Sequence, residues 1–175
     1  MTFKHYLPEF VYGGIDGAVT TFSVVAGATG AALAPSVMLI LGFADIFAGG
    51  FAIAVSNYLS IKSQLDLHRG HRDYKEFVKL GKHPVKAACA EFFSFALIGL
   101  IPLFSFIFPL LSPGLESSQF TTSVFLTALA LASVGAIKGV VVKKHWIRSS
   151  IETLLIGGFA AVLAFAVGKA VSLII

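Results

Sequence analysis

EFVYGGIDGAVTTFSVVAGATG, residues 9–30, has the length and apolar content of a membrane-spanning helix, yet it carries Asp16 near its middle. Gly13, Gly14 and Gly17 surround the acid, and Thr20, Thr21 and Ser23 follow it. A hydrocarbon core about 30 Å thick takes roughly 20 apolar residues at about 1.5 Å rise each. Runs of that length recur at about 10–33, 36–61, 86–111, 120–142 and 151–173. The whole chain of 175 residues is 57% hydrophobic and 13% charged, with a mean hydropathy of +0.88. A soluble domain is nearer about 45–50% apolar. The runs are too long and too uniformly apolar for barrel strands, and backbone polar groups in lipid must be satisfied within the segment. The expected fold is therefore an all-α membrane protein with five transmembrane helices in a single domain, 1–175.

Basic residues orient the bundle. With the N-terminus in the cytoplasm, Lys4, the connection at 62–86 (Lys62, Arg69, Arg72, Lys75, Lys79, Lys82, Lys86) and the fourth connection (Lys138, Lys143, Lys144, Arg148) share one side. Twelve of the 13 Lys and Arg then lie inside, against Lys169 outside, as short cytoplasmic loops require. An odd number of spans puts the C-terminus outside. The sequence pI near 9.3 is explained by this orientation and by attraction to anionic lipid, so no nucleic-acid partner is expected. No short apolar leader with a cleavage site precedes the first span, and the chain is expected to keep its start. Cys89 is the one cysteine, which excludes a disulfide framework; it is expected to be a small packing residue. The connection at 62–85 should extend the second helix past Lys62, turn near Gly70, form one short helix and stop at Gly81 to Pro84.

On a helix, positions i, i+4, i+7 and i+11 share a face, so Asp16 stands in line with Thr20, Ser23 and Gly27. The second span repeats the design with Asp45, Gly49, Ala52 and Ser56, and Asn57 lies beside them. An ionisable group at the bilayer centre costs about 2.5–3.5 kcal/mol on insertion scales, so it faces the bundle interior or a water-filled path. Asp16 and Asp45 are thus the primary candidates for an ion pathway and for metal contact, with Thr20, Ser23, Ser56 and Asn57 as further oxygen ligands or water anchors. The bland alternative is that each aspartate caps a helix or hydrogen-bonds a neighbouring one; Asp45, about nine residues into its span, is too deep for a terminal cap, whereas the shallower Asp16 suits the alternative better. Glu91 and Glu152 are secondary candidates. Ser149 and Glu152 have the S-x-x-E spacing of a capping box, which favours helix initiation. His68 and His71 form an H-x-x-H pair with Asp66 and Asp73 nearby, read first as solvated loop and second as a weak metal site.

Gly13 and Gly17 form G-x-x-x-G, a signature of close helix packing, and Gly49 is a further packing position. Pairing of the first span with its copy in a homodimer would bring two Asp16 side chains to the symmetry axis. Carboxylates crowded in low dielectric cannot all stay ionised, so protons or a divalent cation must neutralise them. Hard oxygen ligands suit Mn, Mg, Ca and Fe(II). Proton-coupled transport of divalent metal follows, while proton or sodium conduction stays open. No nucleophilic triad, phosphate loop or zinc-protease motif stands out, so an enzyme is not expected.

YGGIDGAVTTFSVVAGATGA, GFADIFAGGFAIAVSNYLSIKSQ, LIGLIPLFSFIF and IRSSIETLLIGGFAAVLAFAVGKAV together resemble the vacuolar iron transporter family over four of the five spans. The resemblance implies a homodimeric exporter that moves Fe(II) or Mn(II) out of the cytoplasm in exchange for protons, along a path between the first two helices of both subunits. By motif match, Asp16 and Asp45 take the places of the family's pathway acids. Its iron-transporting members carry a methionine where this chain has Ile53, which leaves manganese or another divalent ion open. They also carry a long glutamate-rich cytoplasmic domain, absent from the short basic connection here, so no cytoplasmic storage site and no permanently bound cofactor is expected. The membrane is a prokaryotic plasma membrane or a vacuole-like one. Two rival readings are a passive cation pore and a non-transporting scaffold that recruits a partner through residues 62–86.

Overall fold

The computed structural model describes residues 5–69, 81–111 and 118–174, with side chains in the third helix described as far as residue 107. Five helices follow in order: α1 (Leu7–Gly30), α2 (Pro35–His68), α3 (Pro84–Leu111), α4 (Gln119–Val141) and α5 (Trp146–Ser172). All five are long and apolar enough to cross a membrane. Proline opens three of them, Pro8 in the first turn of α1, Pro35 in α2 and Pro84 in α3. A first-turn N–H has no helical partner, so its loss there costs little, and the fixed φ favours helix entry. The first helix ends at a turn in which Ala32 adopts φ 54° and Leu33 N–H donates to the Ala28 carbonyl at 2.9 Å. This closes α1 in the manner of a Schellman motif.

Each expected span overlaps one helix, although α1 ends at Gly30 rather than at 33, and α2 does continue past Lys62, as far as His68. The short helix expected near 71–80 lies outside the described residues. One expected start is corrected. α5 begins at Trp146 with His145 as its N-cap, so Ser149 is already inside the helix and no capping box with Glu152 forms. Glu152 instead pairs with Lys138 of α4 at 3.7 Å.

α1 is the central helix and packs against each of the other four. Its backbone runs close against that of α3. A Cβ added at Gly17 would lie 2.3 Å from the Phe95 carbonyl oxygen, and one at Gly13 would lie 2.4 Å from that of Glu91. The G-x-x-x-G face is therefore occupied within the chain by α3, which corrects the expectation that it meets the first helix of a second copy. At the other end of α1, the backbone approaches α5 as closely, with Gly168 against the Gly27 carbonyl. Between these contacts Val25, Ala28, Met38, Ile46, Leu103 and Phe106 form the main apolar core, and Phe22 stacks on Phe120 at 6.4 Å.

Hydroxyls tie the outer helices in. Ser123 of α4 donates to the Pro102 carbonyl of α3 at 2.8 Å, and Ser150 of α5 donates to the Ala132 carbonyl of α4 at 2.8 Å. Small hydroxylated residues at helix interfaces allow such bonds without widening the gap. The outer faces of α2 and α5 expose Ile40, Phe47, Phe51, Leu155, Phe159 and Val162, side chains suited to acyl chains rather than water. Cys89 is on this perimeter and exposed, not packed as expected.

Because the Gly17 site abuts rigid backbone, Gly17→Ala is expected to cost about 1–3 kcal/mol. A thermal melt in detergent checks this; Gly158→Ala, at a position where an added Cβ meets nothing within 4 Å, should leave the melt unchanged.

Candidate functional site

The polar stripe of α1 runs along its least covered side. Asp16, Thr20, Ser23 and Gly27 are all half-buried, and the neighbouring Tyr12 is exposed. Thr20 commits its hydroxyl proton to the Asp16 carbonyl at 2.9 Å, leaving its oxygen as an acceptor. One turn beyond Gly17, the fully buried Thr21 donates to Asp45 Oδ2 of α2 at 3.1 Å. Gly49 leaves room for that carboxylate: a Cβ there would sit 3.1 Å from Asp45 Oδ1. Asp16, on α1, lies one turn before Thr20 and five residues before the Thr21 that reaches Asp45. The two candidate acids thus belong to neighbouring helices of a single chain, linked through Thr21 of α1.

A second acidic pair stands nearer the start of α1. Glu9 is only 8% exposed and Glu91 of α3 only 7%. Lys82, just before α3, reaches Glu9 Oε1 at 2.5 Å, whereas Glu9 Oε2 is buried with no partner among the described residues. Asn57 of α2 donates its amide to Glu91 Oε2. Glu91 also feels the charges of Glu9, Asp16 and Lys82. The order Glu9 with Lys82, Glu91 with Asn57, Asp16, and Asp45 with Thr21 makes a ladder of carboxylates between α1, α2 and α3.

Other sequence candidates stand apart. Asn57 turns toward Glu91 rather than toward Asp45, and Ser56 is exposed. Glu152 belongs to the α4–α5 end through Lys138. His68 closes α2 with its Nδ1 2.8 Å from the Gln64 carbonyl, and His71 lies outside the described residues. Among the described residues no three His, Cys, Asp or Glu side chains are grouped to hold a metal ion. One chain offers paired carboxylates, an arrangement suited to passing a cation along rather than to keeping it.

Glu9, Thr21 and Lys82 were missed in the sequence. Glu9 had a signal, since it precedes Asp16 by seven residues and so shares its face. Lys82 had none, because only the folded connection brings it to α1.

Comparison with known proteins shows the family. The model of the VIT family matches residues 7–80 and 73–169. The chain belongs to the VIT family. It is 30% identical to "Vacuolar iron transporter homolog 5" of Oryza sativa subsp. japonica over 90% of this chain and 76% of that protein. It is 27% identical to "Vacuolar iron transporter homolog 4" of Arabidopsis thaliana, over 95% and 84%. It is 23% identical to "Vacuolar iron transporter" of Plasmodium berghei (strain Anka), over 94% and 82%. These relatives are named as transporters, not enzymes, and the five apolar helices make this VIT-family chain a multi-pass integral membrane protein.

Asn57→Leu would leave the buried Glu91 carboxylate without its donor, a loss of about 1–3 kcal/mol. The thermal melt should fall accordingly, and Glu91→Leu added to Asn57→Leu should recover most of it.

Proposed function

We propose that this chain exports divalent metal, Fe(II) or Mn(II), from the cytoplasm in exchange for protons. The placing of Asp16 and Asp45 on neighbouring apolar helices carries the reading: the half-buried Asp16 is on α1, and Asp45 of α2 accepts from Thr21 of α1. The names of the VIT-family relatives support metal ion transport. Coulomb repulsion between carboxylates in low dielectric is relieved by a cation or by protons, and both compete for the same oxygens. Metal arriving from the basic side displaces protons, and protons returning from the other side release it. Glu9 and Glu91 form the approach, with Lys82 as a tethered cation that incoming metal replaces on Glu9.

The functional unit is a homodimer with the N-terminus in the cytoplasm. Lys and Arg placement supports the orientation. The dimer rests on two uncovered surfaces, the Asp16–Thr20–Ser23 side of α1 and the small-residue face of α2 at Ala44, Ala48 and Ala52, all three exposed. Joined to their copies, they would bring four carboxylates around one axis. Ile53, half-buried two turns beyond Asp45, offers no thioether to favour softer Fe(II), so Mn(II) is carried at least as readily.

In proteoliposomes, Asp16→Asn should abolish both Mn(II) or Fe(II) flux and the accompanying change in internal pH, with the elution volume of the protein unchanged. Undiminished flux in that variant would remove Asp16 from the mechanism; flux that persists in the native chain without a proton gradient would mark a pore. For the dimer, Ala44→Cys, Ala48→Cys or Ala52→Cys in a Cys89→Ser background should cross-link between subunits in membranes. Cross-linking at Phe159→Cys on α5 instead would put the interface elsewhere.

A further inference from the structure

The α4–α5 end holds a cavity of about 510 Å³ that the acid ladder does not use, lined by Lys144, His145, Arg148, Ser149 and Glu152. It is built on the start of α5, a helix of 27 residues whose N-cap, His145, makes no side-chain capping bond. The first N–H groups of such a helix lack helical partners and carry the positive end of its dipole. Lys143 takes φ 56°, and Lys144 N–H donates to the Gly139 carbonyl at 2.8 Å, so the chain reverses sharply and keeps both lysines beside the helix start. No carboxylate among the described residues pairs with Lys143, Lys144 or Arg148.

An independent observation points to a ligand. Ser149, part of the lining, is 3% exposed, and its hydroxyl finds no hydrogen-bond partner among the described residues. A buried hydroxyl without a partner costs free energy that an acceptor at this position would recover. Glu152, the one acid in the lining, has an oxygen 3.7 Å from Lys138 Nζ, which offsets its charge. Trp146, 54% exposed beside the cavity, belongs at the level of lipid headgroups.

We propose that this cavity binds the phosphate of an anionic phospholipid headgroup in the leaflet on the basic side of the membrane. The cations and unpartnered N–H groups hold a phosphate oxyanion as helix N-termini do, Ser149 donates to it, and the acyl chains run down the exposed apolar faces of α4 and α5. The site is independent of the Asp16–Asp45 pathway. It anchors the α4–α5 end in the membrane.

The test uses the full chain purified in neutral detergent, with thermal unfolding followed against short-chain phosphatidylglycerol, short-chain phosphatidylcholine and sodium phosphate. Phosphatidylglycerol should raise the melting temperature saturably, at concentrations at least about fivefold below phosphatidylcholine. Lys144→Gln and Arg148→Gln should each weaken that response about fivefold, and Lys169→Gln, near the opposite end of α5, should not. If Arg148→Gln fails to fold, Lys144→Gln at an exposed position still decides. An unchanged response in Lys144→Gln, or an equal loss in Lys169→Gln, would overturn the site. Saturable protection by sodium phosphate that displaces the lipid would overturn the lipid assignment in favour of a soluble phosphate compound.

Discussion

The backbone of α1 touches the backbone of α3, and much of the rest is placed by that contact. At Gly17 there is no room for a methyl group against the Phe95 carbonyl. With the two backbones that close, the Phe95 ring, 1% exposed, projects onto Gly49 and Gly50 of α2, where an added Cβ would come within 3.2 Å and 3.1 Å of it. That ring fixes the distance of α2 from α1, and Asp45, one turn before Gly49, meets Thr21, one turn after Gly17. Three glycines on two helices and one phenylalanine on a third thus set the carboxylate geometry. Packing of this kind, without a hydrophobic force between helices in lipid, depends on small residues and shape.

Much of this was legible in the sequence because lipid leaves few choices. Five apolar runs could only be helices, and the acids among them had to be sheltered. What periodicity cannot give is the identity of the neighbour. The G-x-x-x-G of α1 correctly marked a close contact but not the helix that makes it, and α3 rather than a second copy of α1 fills it. Glu91 had no visible partner because Asn57 is 34 residues away in sequence. The S-x-x-E of α5 matched a helix-start pattern, yet the helix starts at Trp146, one turn earlier, and Ser149 stands inside it.

The acid ladder gives the family resemblance a physical content. Relatives named as vacuolar iron transporters share the family, but the pairings Asp45 with Thr21, Glu91 with Asn57 and Glu9 with Lys82 are properties of this chain. In each of these pairs one carboxylate oxygen is held by a donor from another element. Holding one oxygen fixes the side chain's direction while the other stays available, so orientation does not require full neutralisation. Of the two buried acids nearest the start of α1, Glu9 has a charged donor in Lys82 and Glu91 an amide donor in Asn57. The half-buried Asp16 is left least restrained, at the place where metal and proton exchange is proposed.

α2 has one further mechanical consequence. Its 34 residues make a rod of about 51 Å, well beyond the hydrocarbon thickness of about 30 Å. From Asp45 to His68 the helix is unbroken for about 35 Å, so the membrane-embedded acid and the mouth of the basic connection are two points on one stiff lever. A pivot of about 10° at the level of Asp45 sweeps the far tip through about 6 Å. Any load on that tip, from membrane surface charge or a neighbouring molecule, is delivered to the carboxylate as a change of angle.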